Sequence, residues 1–154
     1  MRLTTREQLS SSDARAAILS CHEELRGLLS ETIHCADDAT SAERGFEPLR
    51  VHARELYQAF EAHMDFEERI LATALSDVIG WGSVLRSQVE EGHERQRATL
   101  ASAKSALDTA SLPPARVVES VRAVADELLL DLNSEERCLL TAELDAMATD
   151  TRGG

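Results

Sequence analysis

A chain of 154 residues, 43% apolar and 29% charged but only 3% aromatic, has the material for one packed domain with a core of Leu, Val, Ile and Ala. Seven glycines and three prolines leave few chain breakers, so an all-α domain is expected. The formal net charge of −12 argues against nucleic acid and anionic membrane surfaces as partners, because both select clusters of Lys and Arg.

Three cysteines, Cys21, Cys35 and Cys138, without a Cys-x-x-Cys imply neither a disulfide framework nor a zinc ribbon. No N-terminal apolar stretch resembles a signal peptide, and no run approaches the ~20 apolar residues of a membrane span. A reducing cytoplasm is the expected compartment.

In chain order, residues 1–10 are polar and mixed and are expected to form a flexible arm. Ser11-Ser12-Asp13 offers N-cap side chains for a first helix, along which Ile18, His22, Leu25 and Leu29 recur at helical spacing. Its pattern fades over residues 36–41, read as a loop, and Gly45 marks the end of that connection. A second helix carries Leu56, Phe60, His63, Glu67 and Ile70 on one face and should end before Gly80. Trp81-Gly82-Ser83 suits a turn, with Trp81 plugging one end of the bundle. A third helix shows Leu85, Val89, His93, Leu100 and Leu107. Pro113-Pro114 suits the first turn of a fourth, with Val117, Val121, Val124, Leu128, Asp131, Glu135 and Cys138 on one face. Four long amphipathic helices with short connections predict an up-down-up-down four-helix bundle over 11–148, followed by a disordered tail at 149–154.

Polar residues interrupt these apolar stripes in a pattern. His63 and Glu67 stand four apart, so they are neighbours on one helix face and can serve one metal ion. The stretch from His63 has an ungapped echo from Asp131: both read x-x-x-x-Glu-Glu-Arg-x-Leu. His22 and His93 lie singly in the stripes of the other two helices. A lone inward histidine is more often a hydrogen-bonded core residue than a ligand, and a lone helix-face carboxylate usually reaches solvent. Burying an unpaired charge is costly, so several such groups in one core call for a shared explanation. A metal site built from His22, His63, Glu67, His93, Asp131 and Glu135 supplies it.

Among lesser features, His34 is off the His22 face. His52 lies about three turns, ~16 Å, from His63, too far for the same site. Glu68 and Glu136 read as surface residues. Glu127 and Glu90 are further carboxylates within a turn of the candidate ligands, and Cys21 and Cys138 read as small hydrophobes.

His22, His63-x-x-x-Glu67, His93 and the second x-x-x-Glu pair together resemble the hemerythrin-like (HHE cation-binding) domain family. Local wording agrees in Cys21-His22-Glu23-Glu24-Leu25 and Glu90-Glu91-Gly92-His93-Glu94. The resemblance spans about residues 13–146. It implies a four-helix bundle holding two iron ions, a non-haem di-iron centre bridged by oxygen and carboxylates, while the departures described below leave Mn, Zn, a single metal or none as alternatives. His22, His63 and His93 match the family's histidines, and Glu67 and Glu135 its bridging carboxylates. The implied partner is O2, another small diatomic molecule or peroxide.

Two positions depart from the family. Asp131 stands where a second His-x-x-x-Glu pair would have its histidine, and Arg97 stands four after His93, where oxygen carriers have another. Carboxylate oxygen is a harder, anionic ligand than imidazole, so this set should favour the ferric state and move away from reversible O2 carriage. Three readings remain at this point: a protein that binds, senses or reacts with O2 or a related oxidant, a di-iron oxidase or oxygenase acting on an organic substrate, and a regulatory bundle with a degenerate metal site.

Overall fold

The computed structural model describes residues 11–39, 46–74, 81–109 and 112–137. Expectations for the arm at 1–10, Gly45, the Trp81 side chain, Cys138 and the tail at 149–154 lie outside the described residues. Four helices make up the described chain: α1 (Ser11–Ala39), α2 (Phe46–Ala74), α3 (Trp81–Asp108) and α4 (Pro114–Glu135). The architecture is the expected all-α four-helix bundle, with no strand among the described residues.

Each helix buries one stripe. On α1 the buried positions are Ala14, Ile18, His22, Leu25, Leu29, Thr32, Ala36 and Ala39, three or four residues apart throughout. That periodicity overrides the polar residues around it and corrects the loop expected over 36–41: α1 runs on to Ala39 because Ala36 and Ala39 still pack into the core. The expected turn at Trp81-Gly82-Ser83 is likewise the first turn of α3. A first-turn glycine sacrifices little there, since those N–H groups have no partner within the helix. Pro113 and Pro114 do open α4, where a missing N–H and a preset φ suit the first turn.

Neighbouring helices run antiparallel, as their cross-links show. Arg50 near the start of α2 donates to the Leu107 carbonyl at the end of α3 (2.8 Å), and Arg54 reaches Asp108 (3.1 Å). Lys104 of α3 meets Glu61 of α2 (2.6 Å), and Arg122 of α4 pairs with Asp37 of α1. His22, His63, Glu67, His93 and Glu135 consequently fall at one level, near the end where α1 and α3 begin and α2 and α4 finish. The main apolar cluster, from Leu25 and Leu29 through Phe60 and Leu100 to Leu128 and Leu132, lies mostly on one side of that level, with Met64 reaching it between His63 and Glu67. Ala14, Ile18, Leu71 and Val89 are buried on the other side. The polar layer therefore interrupts a continuous core. No described helix is long and apolar enough to cross a membrane.

Candidate metal centre

The stripes that build the core also aim the polar layer. His22, His63, Glu67 and His93 are buried, with Glu67 and His22 fully sealed from solvent. His22, His63, Glu67 and Glu135 each offer a ligand atom, and these four atoms lie within 4.8 Å of one another. The Nε2 atoms of His22 and His63 face each other at 3.1 Å. Glu67 Oε2 lies 2.8 Å from His63 Nε2 and 3.9 Å from both His22 Nε2 and His93 Nε2. Histidine nitrogens from α1, α2 and α3 thus approach one Glu67 oxygen within 3.9 Å. Glu135 Oε1 approaches His22 Nε2 at 3.4 Å.

Hydrogen bonding does not account for this packing. Among the described residues, both oxygens of Glu67, Glu135 Oε1 and His63 Nδ1 are buried without a hydrogen-bond partner, so the short Glu67–His63 approach lacks hydrogen-bond alignment. Buried carboxylate oxygens without partners are expensive. A cation between them would engage the orphaned atoms together, and the two imidazoles and two carboxylates are suitable donors. The residues present fit a metal ion.

Without one, the layer holds protons. Burial opposes charge on His22, but its contacts with Glu135, Glu67 and Glu136 outweigh this and push its pKa up to about 10. Burial and the neighbouring Glu67 push Glu135 up to about 8, against the pull of His22. Burial acts the same way on Glu67, yet its contacts with Glu135, His22 and His63 hold it well below the usual carboxylate range. One glutamate is therefore ionised while the other retains a proton.

His93 and Asp131 stand slightly apart. His93 touches the cluster through Glu67, at the 3.9 Å given above. Asp131 is half-buried, and its Oδ2 accepts a hydrogen bond from Gln96 Nε2 at 3.0 Å. Burial raises its pKa against that bond. His93, Asp131 and Glu135 line a common pocket of about 240 Å³ between α3 and α4, with Gly92, Gln96 and Ser134 among its walls. Glu127 is exposed and accepts from Thr99 (3.3 Å), Glu90 is exposed, and His34 is 81% exposed, so none of them belongs to the layer.

Glu68 and Glu136 do not fit the surface role expected for them. Each side chain is about a quarter exposed, at 27% and 26%, and each holds a histidine by its outer nitrogen. His22 Nδ1 donates to Glu136 Oε1 (3.1 Å), and His93 Nδ1 donates to Glu68 Oε1 (3.1 Å). The overlooked signal lies in the sequence: the doublets Glu67-Glu68 and Glu135-Glu136 recur together with His22-x-x-x-Arg26 and His93-x-x-x-Arg97.

Compared with known proteins, the chain matches the family model of the hemerythrin HHE cation binding domain over residues 13–143. It therefore belongs to that family. No curated protein and no solved structure matches it.

Proposed function

We propose that this member of the hemerythrin HHE cation-binding family holds two non-haem iron ions in its polar layer and reacts with O2 or a related small oxidant. One ion would take His22 and His63, the other His93 and Asp131, with Glu67 and Glu135 shared between them. The observation that carries this reading is Glu67: fully buried, neither oxygen hydrogen-bonded among the described residues, and its Oε2 within 3.9 Å of the Nε2 atoms of His22, His63 and His93. When bound, the irons would supply redox electrons and an open coordination position for the oxidant.

The chain's own residues do the rest. The apolar cluster on one side and Ile18, Leu71 and Val89 on the other keep bulk water from the layer. Glu135 carries the proton that must leave when a cation arrives, so metal uptake releases protons and strengthens as pH rises. The α3–α4 pocket gives an approach to His93, Asp131 and Glu135.

Its size weighs between the readings. Ligand pockets for organic molecules usually span roughly 300–1,000 Å³, and this one, at about 240 Å³, is smaller. That favours a diatomic molecule or peroxide over an organic substrate. The three carboxylates in the set favour consumption of the oxidant over reversible carriage.

Metal analysis with an absorption spectrum after anaerobic iron loading tests the proposal. Wild type should hold about two irons per chain, and Glu67→Ala should lose most of both. Asp131→Ala should lose about one. Fewer than one metal in wild type would sink the proposal, and an unchanged Asp131→Ala would remove Asp131 from the ligand set.

A further inference from the structure

The polar layer is built twice. Arg26 of α1 grips Glu136, the residue that caps the end of α4, with two parallel bonds, Nη1 to Oε1 (2.6 Å) and Nη2 to Oε2 (2.8 Å), and Nη2 also reaches Asn133 Oδ1 (2.9 Å). Arg97 of α3 grips Glu68 of α2 in the same way (2.9 and 3.0 Å), and its Nη2 reaches Asp65 Oδ1 (2.9 Å). In both cases the arginine stands four after the lone histidine, and the third oxygen comes from three residues before the glutamate. Both glutamates then accept from that histidine's Nδ1. Arg97, which stands where oxygen carriers have another histidine, thus has a use of its own.

The chemistry of this chain of bonds is directional. A guanidinium only donates and an ionised carboxylate only accepts. A glutamate in a two-point grip stays ionised, so the imidazole nitrogen beside it must carry the proton. The neutral, metal-binding form of His22 and of His93 then has its lone pair on Nε2, and both Nε2 atoms lie 3.9 Å from Glu67 Oε2. Among the described residues His63 has no such clamp, and its Nδ1 has no hydrogen-bond partner.

We infer that Glu68 and Glu136 are positioning residues: each fixes its histidine as the Nδ1–H tautomer with Nε2 turned to the metal, and Arg97 and Arg26 hold each glutamate in place. The inference rests on the metal-binding reading and extends it to four side chains outside the proposed ligand set. A carboxylate behind a ligating imidazole fixes the ring and raises its basicity, and removing such a partner typically costs 10–100-fold in metal affinity.

Zn(II) serves as the probe, because it binds nitrogen and oxygen sites more tightly than Fe(II) and is diamagnetic. Its affinity is measured by chelator competition on wild type, Glu68→Ala, Glu136→Ala, Glu68→Gln and Glu136→Gln. Imidazole N–H signals are read by NMR on the Zn(II)-loaded proteins. Wild type should show slowly exchanging Nδ1–H signals for His22 and His93. Glu136→Ala should lose the His22 signal alone, Glu68→Ala the His93 signal alone, each with affinity reduced about 10–100-fold. The glutamine variants keep an acceptor, so they should keep the signals and lose less affinity, which also covers an alanine variant that fails to fold. Alanine variants that bind Zn(II) as tightly as wild type, or are merely less heat-stable at unchanged affinity, overturn the inference. If wild type itself takes no Zn(II), the metal-binding reading fails and this inference falls with it.

Discussion

Raising the pH of the metal-free protein from about 7 to about 9 will lower its thermal stability, and the polar layer sets the size of the effect. His22 is fully buried and faces Glu67 and His63 from α2, Glu135 at the end of α4 and Glu136 just beyond it. Its pKa rises from 6.5 to about 10, and that of Glu135 from 4.5 to about 8. A group whose pKa is higher in the folded state contributes its stability in full below the unfolded value. It loses that contribution as pH climbs through the folded value. Both groups therefore weaken the fold across the same alkaline window. Glu67 is shifted the other way, but it is ionised in folded and unfolded chains throughout this window and contributes a constant.

Counting the His22 proton alone, as a lower bound to which Glu135 adds, the slope is about 1.4 kcal/mol per pH unit, or about 3 kcal/mol over the two units. For a chain of this length each kcal/mol moves Tm by roughly 2–4 °C, so Tm should fall by about 6–12 °C. Thermal unfolding followed by circular dichroism in the presence of a chelator measures it. A parallel series with Zn(II) should fall much less, because the cation takes the place of the protons. A metal-free Tm that stays level or rises between about pH 7 and about pH 9 would refute the protonation scheme.

Other predictions concern the helices around the layer. Tyr57 is fully buried and its hydroxyl has no hydrogen-bond partner among the described residues, with burial pushing its pKa up to about 12. Tyr57→Phe should therefore stabilise the metal-free protein by about 1 kcal/mol in a denaturant titration. Gly27 lies in the interior of α1 with nothing within 4 Å of a Cβ placed there. Gly27→Ala should raise stability by about 1 kcal/mol, seen as a Tm higher by roughly 2–4 °C. Gly92 lines the α3–α4 pocket and also has open space at Cβ. Gly92→Leu should leave iron content unchanged and slow oxidation of the iron-loaded protein by O2 several-fold in stopped-flow absorbance.

The helices were legible because their stripes repeat every three or four residues, and that signal survives the polar substitutions within them. What blurred was their ends: the polar run after Cys35 hid two buried alanines that carry α1 to Ala39. His22, His63, Glu67 and Glu135 were legible as a set because each breaks an apolar stripe, and the structure gathers all four. Glu68 and Glu136 were not, since a residue next to an inward glutamate points off the stripe in any helical reading. They turn inward only because Arg97 and Arg26, a helix away, draw their carboxylates over the outer edges of His93 and His22. Such a partner across helices leaves no periodic mark. It shows only when two copies of the unit are laid side by side.

Side by side, the copies differ at paired positions. Asp131 replaces the histidine equivalent to His63, and Gln96, three after His93, replaces the leucine equivalent to Leu25, three after His22. The two exceptions touch: Gln96 donates to Asp131 across α3 and α4. An aspartate is shorter than a histidine and leaves a polar gap, which the longer glutamine amide reaches into. If that pairing is why both residues are present, changing one should harm more than changing both. Asp131→His alone leaves the Gln96 amide without its carboxylate, and Gln96→Leu alone leaves Asp131 without its donor. The double change makes the second unit match the first at both positions. A double-mutant cycle on metal-free stability should give a coupling of about 0.5–3 kcal/mol, with the double variant the less damaged. Its iron content should equal or exceed that of either single variant. Strictly additive losses would show that the two positions vary independently, and that the break in the repeat is not a built feature of the centre.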